Sequence, residues 1–160
     1  MIIAIDPGTT QSAVVYMYDD GGLSKEILPN NQLRERLKKF SGQNIESKLA
    51  VEMIASYGMP VGKEVFETCL WIGHFIEAWS GGKTINHNDL LVYRKDVKIH
   101  LCGNNRAKDA NIRQALIDIY GPGKDKAIGK KATPGPLYGF KADMWAALGV
   151  AVTFNAKQNA

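Results

Sequence analysis

The pattern of apolar and polar positions divides the chain into short strand-like runs followed by longer helical runs. The first 28 residues contain three runs rich in β-branched and aromatic residues, at 1–6, 12–18 and 23–28. Such residues favour strands, and the Asp-Asp-Gly-Gly at 19–22 is typical of a hairpin turn. This opening therefore predicts an antiparallel meander of three strands.

The middle of the chain predicts helices and strands in alternation. A short basic helix is expected at 32–40, an apolar strand at 48–54 and another strand at 90–93. Residues 63–79 carry apolar side chains at helical spacing, which predicts the longest helix of the chain. Residues 97–101 are interpreted as a further short strand or as the approach to a loop.

The last third of the chain predicts two helices around a long loop. An amphipathic helix is expected at 108–120 and a final apolar helix at 141–156. Residues 121–139 are rich in Gly, Pro and Lys and are predicted to form a mobile basic loop. No linker is visible, so residues 1–160 are expected to form a single domain. This order of elements indicates an α/β fold, with a mixed sheet and helices packed on it.

Composition and charge narrow the class of protein. The length suits one domain with a sizeable core, and no apolar run reaches the roughly 20 residues that a membrane span needs. The net charge of +4 moderately favours anionic partners. Cys69 and Cys102 lack metal-ligand spacing, and no basic stretch precedes the first apolar run. We therefore expect a cytoplasmic protein with reduced cysteines, no signal peptide and no membrane partner.

Three acidic residues stand where a strand ends, where a strand is interrupted and where a helix begins. They are Asp6, Glu52 and Asp143. Each also has an ordinary structural explanation, since Asp6 can cap its own turn and Asp143 can be favoured by the helix dipole. Glu52 can face solvent or form a salt bridge, because burying a bare carboxylate costs several kcal/mol unless a cation or partner binds it.

Taken together, the order of these acids resembles that of the ribonuclease H-like superfamily. Four longer segments are similar to the RuvC-type Holliday junction resolvases, especially their phage-encoded versions: Ile3 to Gly8, Val51-Glu52 with the Gly-rich turn that follows, Leu101 to Asp109, and Asp143 to Ala151. The resemblance covers nearly the whole chain. It implies a ribonuclease H-like fold whose mixed five-stranded sheet contains an antiparallel three-stranded meander and has helices packed on both faces.

The resemblance also implies an activity. A protein of this family would be a metal-dependent endonuclease that binds branched DNA (four-way junctions, and also forks and flaps) and nicks Holliday junctions. Asp6, Glu52 and Asp143 would hold two Mg²⁺ or Mn²⁺ ions for two-metal phosphodiester hydrolysis. A homodimer is expected, with part of the apolar stripe on the long helix as its interface. The expected location is the cytoplasm of a bacterial cell, with a phage as one source of the gene.

One departure from the family concerns the last helix, which often begins with two acids. Here Phe140, Lys141 and Ala142 precede Asp143, so the usual partner acid is absent. Lys141 is a candidate catalytic contact with the scissile phosphate, and a solvated lysine is the alternative. Asp109 supplies a fourth carboxylate only if its loop reaches the site, and otherwise it starts or caps its helix.

Basic residues are concentrated in the half of the chain that ends at Asp143. A basic surface binds phosphates in a salt-dependent way without reading sequence, whereas the alternative is an ordinary solvated charged face. The candidate DNA contacts are Arg106, Lys108, Arg113, Lys124, Lys126, Lys130 and Lys131.

Three other functions stay open. A relative with the same fold that binds branched DNA but has lost or weakened cleavage would fit the missing acid. A RuvX-type nuclease of RNA processing usually carries a basic pair after the glycine, where this chain has Thr9-Thr10-Gln11. An actin-like or sugar-kinase ATPase shares the Asp-x-Gly-Thr-Thr phosphate loop but needs two such domains around its nucleotide.

Overall fold

A mixed five-stranded sheet forms the centre of the molecule. The structure is a computed structural model that describes residues 1–43 and 46–160. Strand order is β3-β2-β1-β4-β5, with β1 antiparallel to β2 and parallel to β4. The strands are β1 (Ile2–Asp6), β2 (Gln11–Met17), β3 (Leu23–Pro29), β4 (Lys48–Met53) and β5 (Leu91–Tyr93). The predicted fold class, including the antiparallel meander, is confirmed.

Helices cover both faces of this sheet. One apolar core lies under α1 and α2, and a second lies under α3, α4 and α6. The helices are α1 (Asn30–Ser41), α2 (Lys63–Ser80), α3 (Arg94–Cys102), α4 (Asp109–Tyr120), α5 (Lys124–Ala127) and α6 (Met144–Gln158). Within the residues that the structure describes, no helix is both long enough and apolar enough to cross a membrane.

Alternation along β1 and β4 decides which side chains enter which core. Ile3 and Ile5 are buried against the α1–α2 side, while Ile2 and Ala4 are buried against the α6 side. Because successive side chains of a strand point to opposite faces, Asp6 continues the α6 side of the sheet. This alternation places the first acid in reach of the last helix.

The prediction of a strand or loop approach at 97–101 is wrong, because these residues lie within α3. Val97, Ile99 and Leu101 alternate with polar residues, which imitates the period of a strand. In the structure Val97 is fully buried and Ile99 is 48% exposed, as helical spacing requires. The apolar but exposed Ile99 therefore produced the alternation that wrongly predicted a strand.

The segment 121–139 is more structured than the predicted loop. It contains α5 and a small hairpin, in which Gly129–Lys130 pairs with Thr133–Pro134. Ala127 and Leu137 are fully buried and anchor the segment to the α6-side core. Glycine and proline marked the turns correctly, but two buried apolar residues are too few to signal packing from sequence. The mobility of this segment stays a prediction.

A buried polar network holds the turn between β1 and β2. The Ser12 hydroxyl donates to Oδ1 of Asn30 at 2.6 Å, and Nδ2 of Asn30 donates to the Gly8 carbonyl at 2.9 Å. The Gly8 N–H donates in turn to the Ser12 hydroxyl at 3.2 Å. A Cβ at Gly8 would lie 2.4 Å from the Gln11 carbonyl oxygen, so only glycine fits here. This network fixes the backbone that directly follows Asp6.

Candidate active site

The three acids predicted from the sequence line one open cleft. Asp6 ends β1, Glu52 lies near the carboxyl end of β4, and Asp143 precedes α6. Since β1 and β4 are parallel and in register from Ile2 opposite Lys48, their carboxyl ends reach the same edge of the sheet. The crevice outside the carboxyl ends of parallel strands is where ligands bind in α/β proteins.

Asp143 is held at the mouth of the cleft by the backbone at the start of α6. The residue before it, Ala142, has a φ of 45°, in the left-handed region that non-glycine residues rarely adopt. Asp143 is the N-cap residue of α6, but its side chain makes no capping hydrogen bond. Its carboxylate therefore remains available to the cleft, where it raises the pKa of Asp6.

Mutual repulsion and burial perturb the ionisation of the two inner acids. Burial, followed by the charges of Glu52 and Asp143, raises the pKa of Asp6 from 3.8 to about 8. Burial also raises the pKa of Glu52, against the opposing effect of the Arg94 charge. Asp6 and Glu52 share a hydrogen bond, in which the protonated Asp6 donates. With a pKa of about 8, Asp6 favours its protonated form at neutral pH even though the charge of Arg94 opposes the shift.

Arg94 is the cation that lies among these acids. It is the first residue of α3, directly after β5, and its Nε lies 3.8 Å from Oε1 of Glu52. Its Nη2 donates to Oδ1 of Asp109, which also lines the cleft. From the sequence, Arg94 belongs only to the basic residues in the half of the chain ending at Asp143 that are expected to bind DNA phosphates. Its place after a strand that runs parallel to β4 also indicates the same edge of the sheet as the acids.

The chemistry of this donor set fits hard divalent cations. Carboxylate oxygens are the preferred protein ligands of Mg²⁺ and Mn²⁺, and the charges of Glu52 and Asp143 add to burial in raising the pKa of Asp6. Across residues 1–43 and 46–160, however, no three His, Cys, Asp or Glu side chains stand ready as a ligand set. Asp6, Glu52 and Asp143 are the residues of the cleft whose carboxylates would hold the cation.

Lys141 lies outside the cleft lining, two residues before Asp143, and its side chain is exposed. The basic residues predicted to contact DNA are also exposed and belong to the α3–α4 loop, α4, α5 and the hairpin. These are Arg106, Lys108, Arg113, Lys124, Lys126, Lys130 and Lys131. Arg113 also stacks on the Trp145 ring at 4.6 Å, and so links α4 to α6.

A second cavity adjoins the cleft through Arg94. Its other lining residues are Tyr57, Lys95, Lys98 and Asn105. Tyr57 is 62% exposed and has a φ of 49°, so the loop after β4 presents its ring to solvent. An aromatic ring beside two lysines suits a nucleotide, because the ring can stack on a base while the ammonium groups bind phosphate.

Comparison with solved structures finds chains that share this fold. The structure of Thermus thermophilus RuvC has a TM-score of 0.63 at 18% identity, covering 99% of this chain and 96% of that chain. T. thermophilus RuvC in complex with Holliday junction substrate has a TM-score of 0.63 at 17% identity, covering 99% and 95%. No protein-family model and no curated protein sequence matches the chain. The chain thus has the RuvC-type, ribonuclease H-like fold.

Proposed function

We propose that this protein is a divalent-metal-dependent endonuclease that binds branched DNA and nicks Holliday junctions. The observation that carries the proposal is the meeting of Asp6, Glu52 and Asp143 in one cleft at the carboxyl edge of the sheet. The fold is shared with T. thermophilus RuvC, which has been solved with a Holliday junction substrate. Because a fold alone does not determine function, the proposal rests on these three acids and on the exposed basic residues.

Two Mg²⁺ or Mn²⁺ ions in the cleft would lower the pKa of a bound water and stabilise the departing oxygen of a phosphodiester. Asp6, Glu52 and Asp143 would hold these ions through their carboxylate oxygens. Asp6 would hold an ion only in its deprotonated form, so its raised pKa of about 8 would make metal binding depend on pH. Lys141, exposed beside Asp143, would place a positive charge near the scissile phosphate.

The exposed basic residues would hold the DNA backbone around the cleft. Lys124 and Lys126 of α5 and Lys130 and Lys131 of the hairpin form one basic group, while Arg106, Lys108 and Arg113 form another near α4. Contacts of this kind give an affinity for DNA that falls steeply with salt concentration. They would bind DNA in the cytoplasm through its phosphates, without reading its base sequence.

Two symmetric nicks would require two copies of the cleft. Helix α2 offers a surface for pairing, since Phe66 is 62% exposed and Leu70 is 67% exposed, one helical turn apart. Large apolar side chains so exposed are typical of interaction surfaces. We therefore propose a homodimer that pairs through α2. A phage origin stays a prediction.

The proposal is tested by cleavage of a synthetic four-way junction beside a linear duplex of the same sequence, with Mg²⁺, Mn²⁺ or EDTA. Wild-type protein should give paired nicks on the junction only when metal is present. Asp6→Asn and Glu52→Gln should lower the cleavage rate at least about a thousandfold, because each removes a metal ligand. Binding of the junction in EDTA should change less than about threefold.

A matched control is Asp125→Asn, which removes an exposed acid on α5 and should leave cleavage unchanged. Equal cutting of junction and duplex would support nuclease activity but contradict selectivity for the junction. Junction binding without cutting under every metal would identify the inactive branched-DNA-binding relative. Undiminished cutting by Asp6→Asn would reject the assignment of the site.

A further inference from the structure

Arg94 joins two acidic side chains that belong to different parts of the chain. One guanidinium edge faces Glu52 at 3.8 Å, and Nη2 donates to Asp109 at the start of α4. The side chains of Glu52, Arg94 and Asp109 are 12%, 27% and 86% exposed. The two acids that Arg94 joins therefore lie at the floor and at the mouth of the cleft. Among the described residues that line the cleft, Arg94 is the only basic one.

The Arg94 guanidinium is the positive charge inside the acidic cleft, but not all of its N–H groups have hydrogen-bond partners there. Within the described residues, Nη1 of Arg94 is buried without a hydrogen-bond partner. The contact with Glu52 is longer than a hydrogen bond, so it contributes charge rather than fixed geometry. A buried donor without a partner carries a desolvation cost, which favours a conformation in which Nη1 reaches water or a hydrogen-bond acceptor. Arg94 therefore offsets part of the negative charge of the cleft, and its hydrogen bond there is to the exposed Asp109 rather than to the buried Glu52.

Asp109 has the chemistry of a ligand rather than of a helix cap. Lys108, not Asp109, is the N-cap residue of α4, and the backbone N–H of Lys108 bonds to the Asn111 side chain. The Asp109 carboxylate is turned to the cleft, where it meets Arg94. If the guanidinium leaves, this exposed carboxylate loses its partner at the mouth of the cleft, where its charge acts on Glu52, and is free to bind another cation.

We infer that Arg94 is an exchangeable counter-cation, which a divalent metal displaces so that Asp109 becomes the fourth carboxylate of the site. This inference rests on the proposed function and deepens it. Released from Glu52, Arg94 remains next to the cavity of Tyr57, Lys95 and Lys98, which it already lines. There it adds a third positive charge to a group suited to a DNA phosphate. Arg94 is thus a positioning residue for the metal site.

The test is calorimetric titration of the DNA-free protein with Mn²⁺. Arg94→Gln should bind Mn²⁺ about tenfold more tightly than wild type, because the metal no longer competes with a resident cation. Lys95→Gln is the matched control, since it removes the same charge from the same helix outside the cleft, and it should change the affinity less than about threefold. Adding Asp109→Asn to Arg94→Gln should cancel most of the gain.

A second measurement uses the wild-type protein and does not depend on the folding of a variant. Titration with Mg²⁺ should shift the Arg94 Nε–H resonance in NMR spectra as the guanidinium leaves Glu52. An unchanged resonance at saturating Mg²⁺, or Arg94→Gln with unchanged or weaker Mn²⁺ binding, would overturn the inference while leaving the metal site intact. Wild type that binds no more Mn²⁺ than Asp6→Asn would instead remove the proposed function itself.

Discussion

At the scale of single residues, the unfavourable burial of negative charge is centred on Asp6, at the end of β1. Asp6 follows four buried side chains of its strand, and its own burial, with the charges of Glu52 and Asp143, raises its pKa to about 8. A group whose folded pKa exceeds its unfolded pKa binds more protons when folded. Its contribution to the free energy of unfolding therefore falls as the pH rises between the two values. For Asp6 this window runs from 3.8 to about 8.

We expect Asp6→Asn to stabilise the protein in the presence of EDTA. Asparagine fills the same space without a charge, so the variant should exceed wild type in free energy of unfolding by about 2 kcal/mol at pH 8. The difference should shrink toward pH 5, where wild-type Asp6 is protonated. Urea denaturation at several pH values measures it, and Asp125→Asn should differ from wild type by less than about 0.5 kcal/mol throughout. A variant less stable than wild type at pH 8 would contradict this.

The sequence indicates the acids of the cleft better than its cation. Asp6 and Glu52 stand out because a carboxylate in an apolar strand needs an explanation. Arg94 stands out in no such way, since arginines at helix starts are ordinary and its contact with Asp109 joins residues fifteen apart. The strained φ of Ala142 is also invisible in a sequence, because alanine usually marks regular helix.

At the scale of elements, the turn after β1 depends on a residue from α1. Asn30 is 1% exposed and connects Ser12 with the Gly8 carbonyl, so it couples the start of α1 to the backbone beside Asp6. The sequence predicts that helix α1 begins at residue 32, whereas it begins at Asn30, so this role of Asn30 lies outside the predicted element. Polar residues near strand ends are interpreted as turn formers, and only the fold shows that this one is buried.

Asn30→Ala should destabilise the protein by about 2 kcal/mol, because the Ser12 hydroxyl and the Gly8 carbonyl lose a buried partner. Thermal and urea denaturation measure this loss. The neighbouring Asn31→Ala makes the same chemical change at an exposed position of α1, and we expect it to cost less than about 0.5 kcal/mol. Equal stability of the two variants would show that the network contributes nothing.

At the scale of the whole molecule, the sheet and its covering helices were predictable, because alternation and helical spacing are global patterns. The pairing of α2 with a second copy, which the family resemblance implies, stays a proposal, since exposed apolar residues on a helix can serve many partners. Phe66 and Leu70 carry the proposed interface, whereas Ile119, 55% exposed on α4, lies on another helix. The three residues offer a matched comparison of two surfaces.

Phe66→Glu together with Leu70→Glu should convert the proposed dimer to monomers at micromolar concentration, because charges would be buried in an apolar interface. Light scattering coupled to size-exclusion chromatography measures the mass. Ile119→Glu should leave the dimer intact, and circular dichroism should show that all variants remain folded. A double variant that stays dimeric would move the interface away from α2.

The order in which the cleft is assembled has a consequence for the cell that makes the protein. Asp6 and Glu52 leave the ribosome early, but Asp143 and α6, which packs over β1, β2 and β4, leave it about 90 residues after Glu52. A nascent chain thus has the sheet strands long before it has a complete set of acids. A partly made or truncated copy that lacks α6 therefore also lacks one of the three acids that line the cleft.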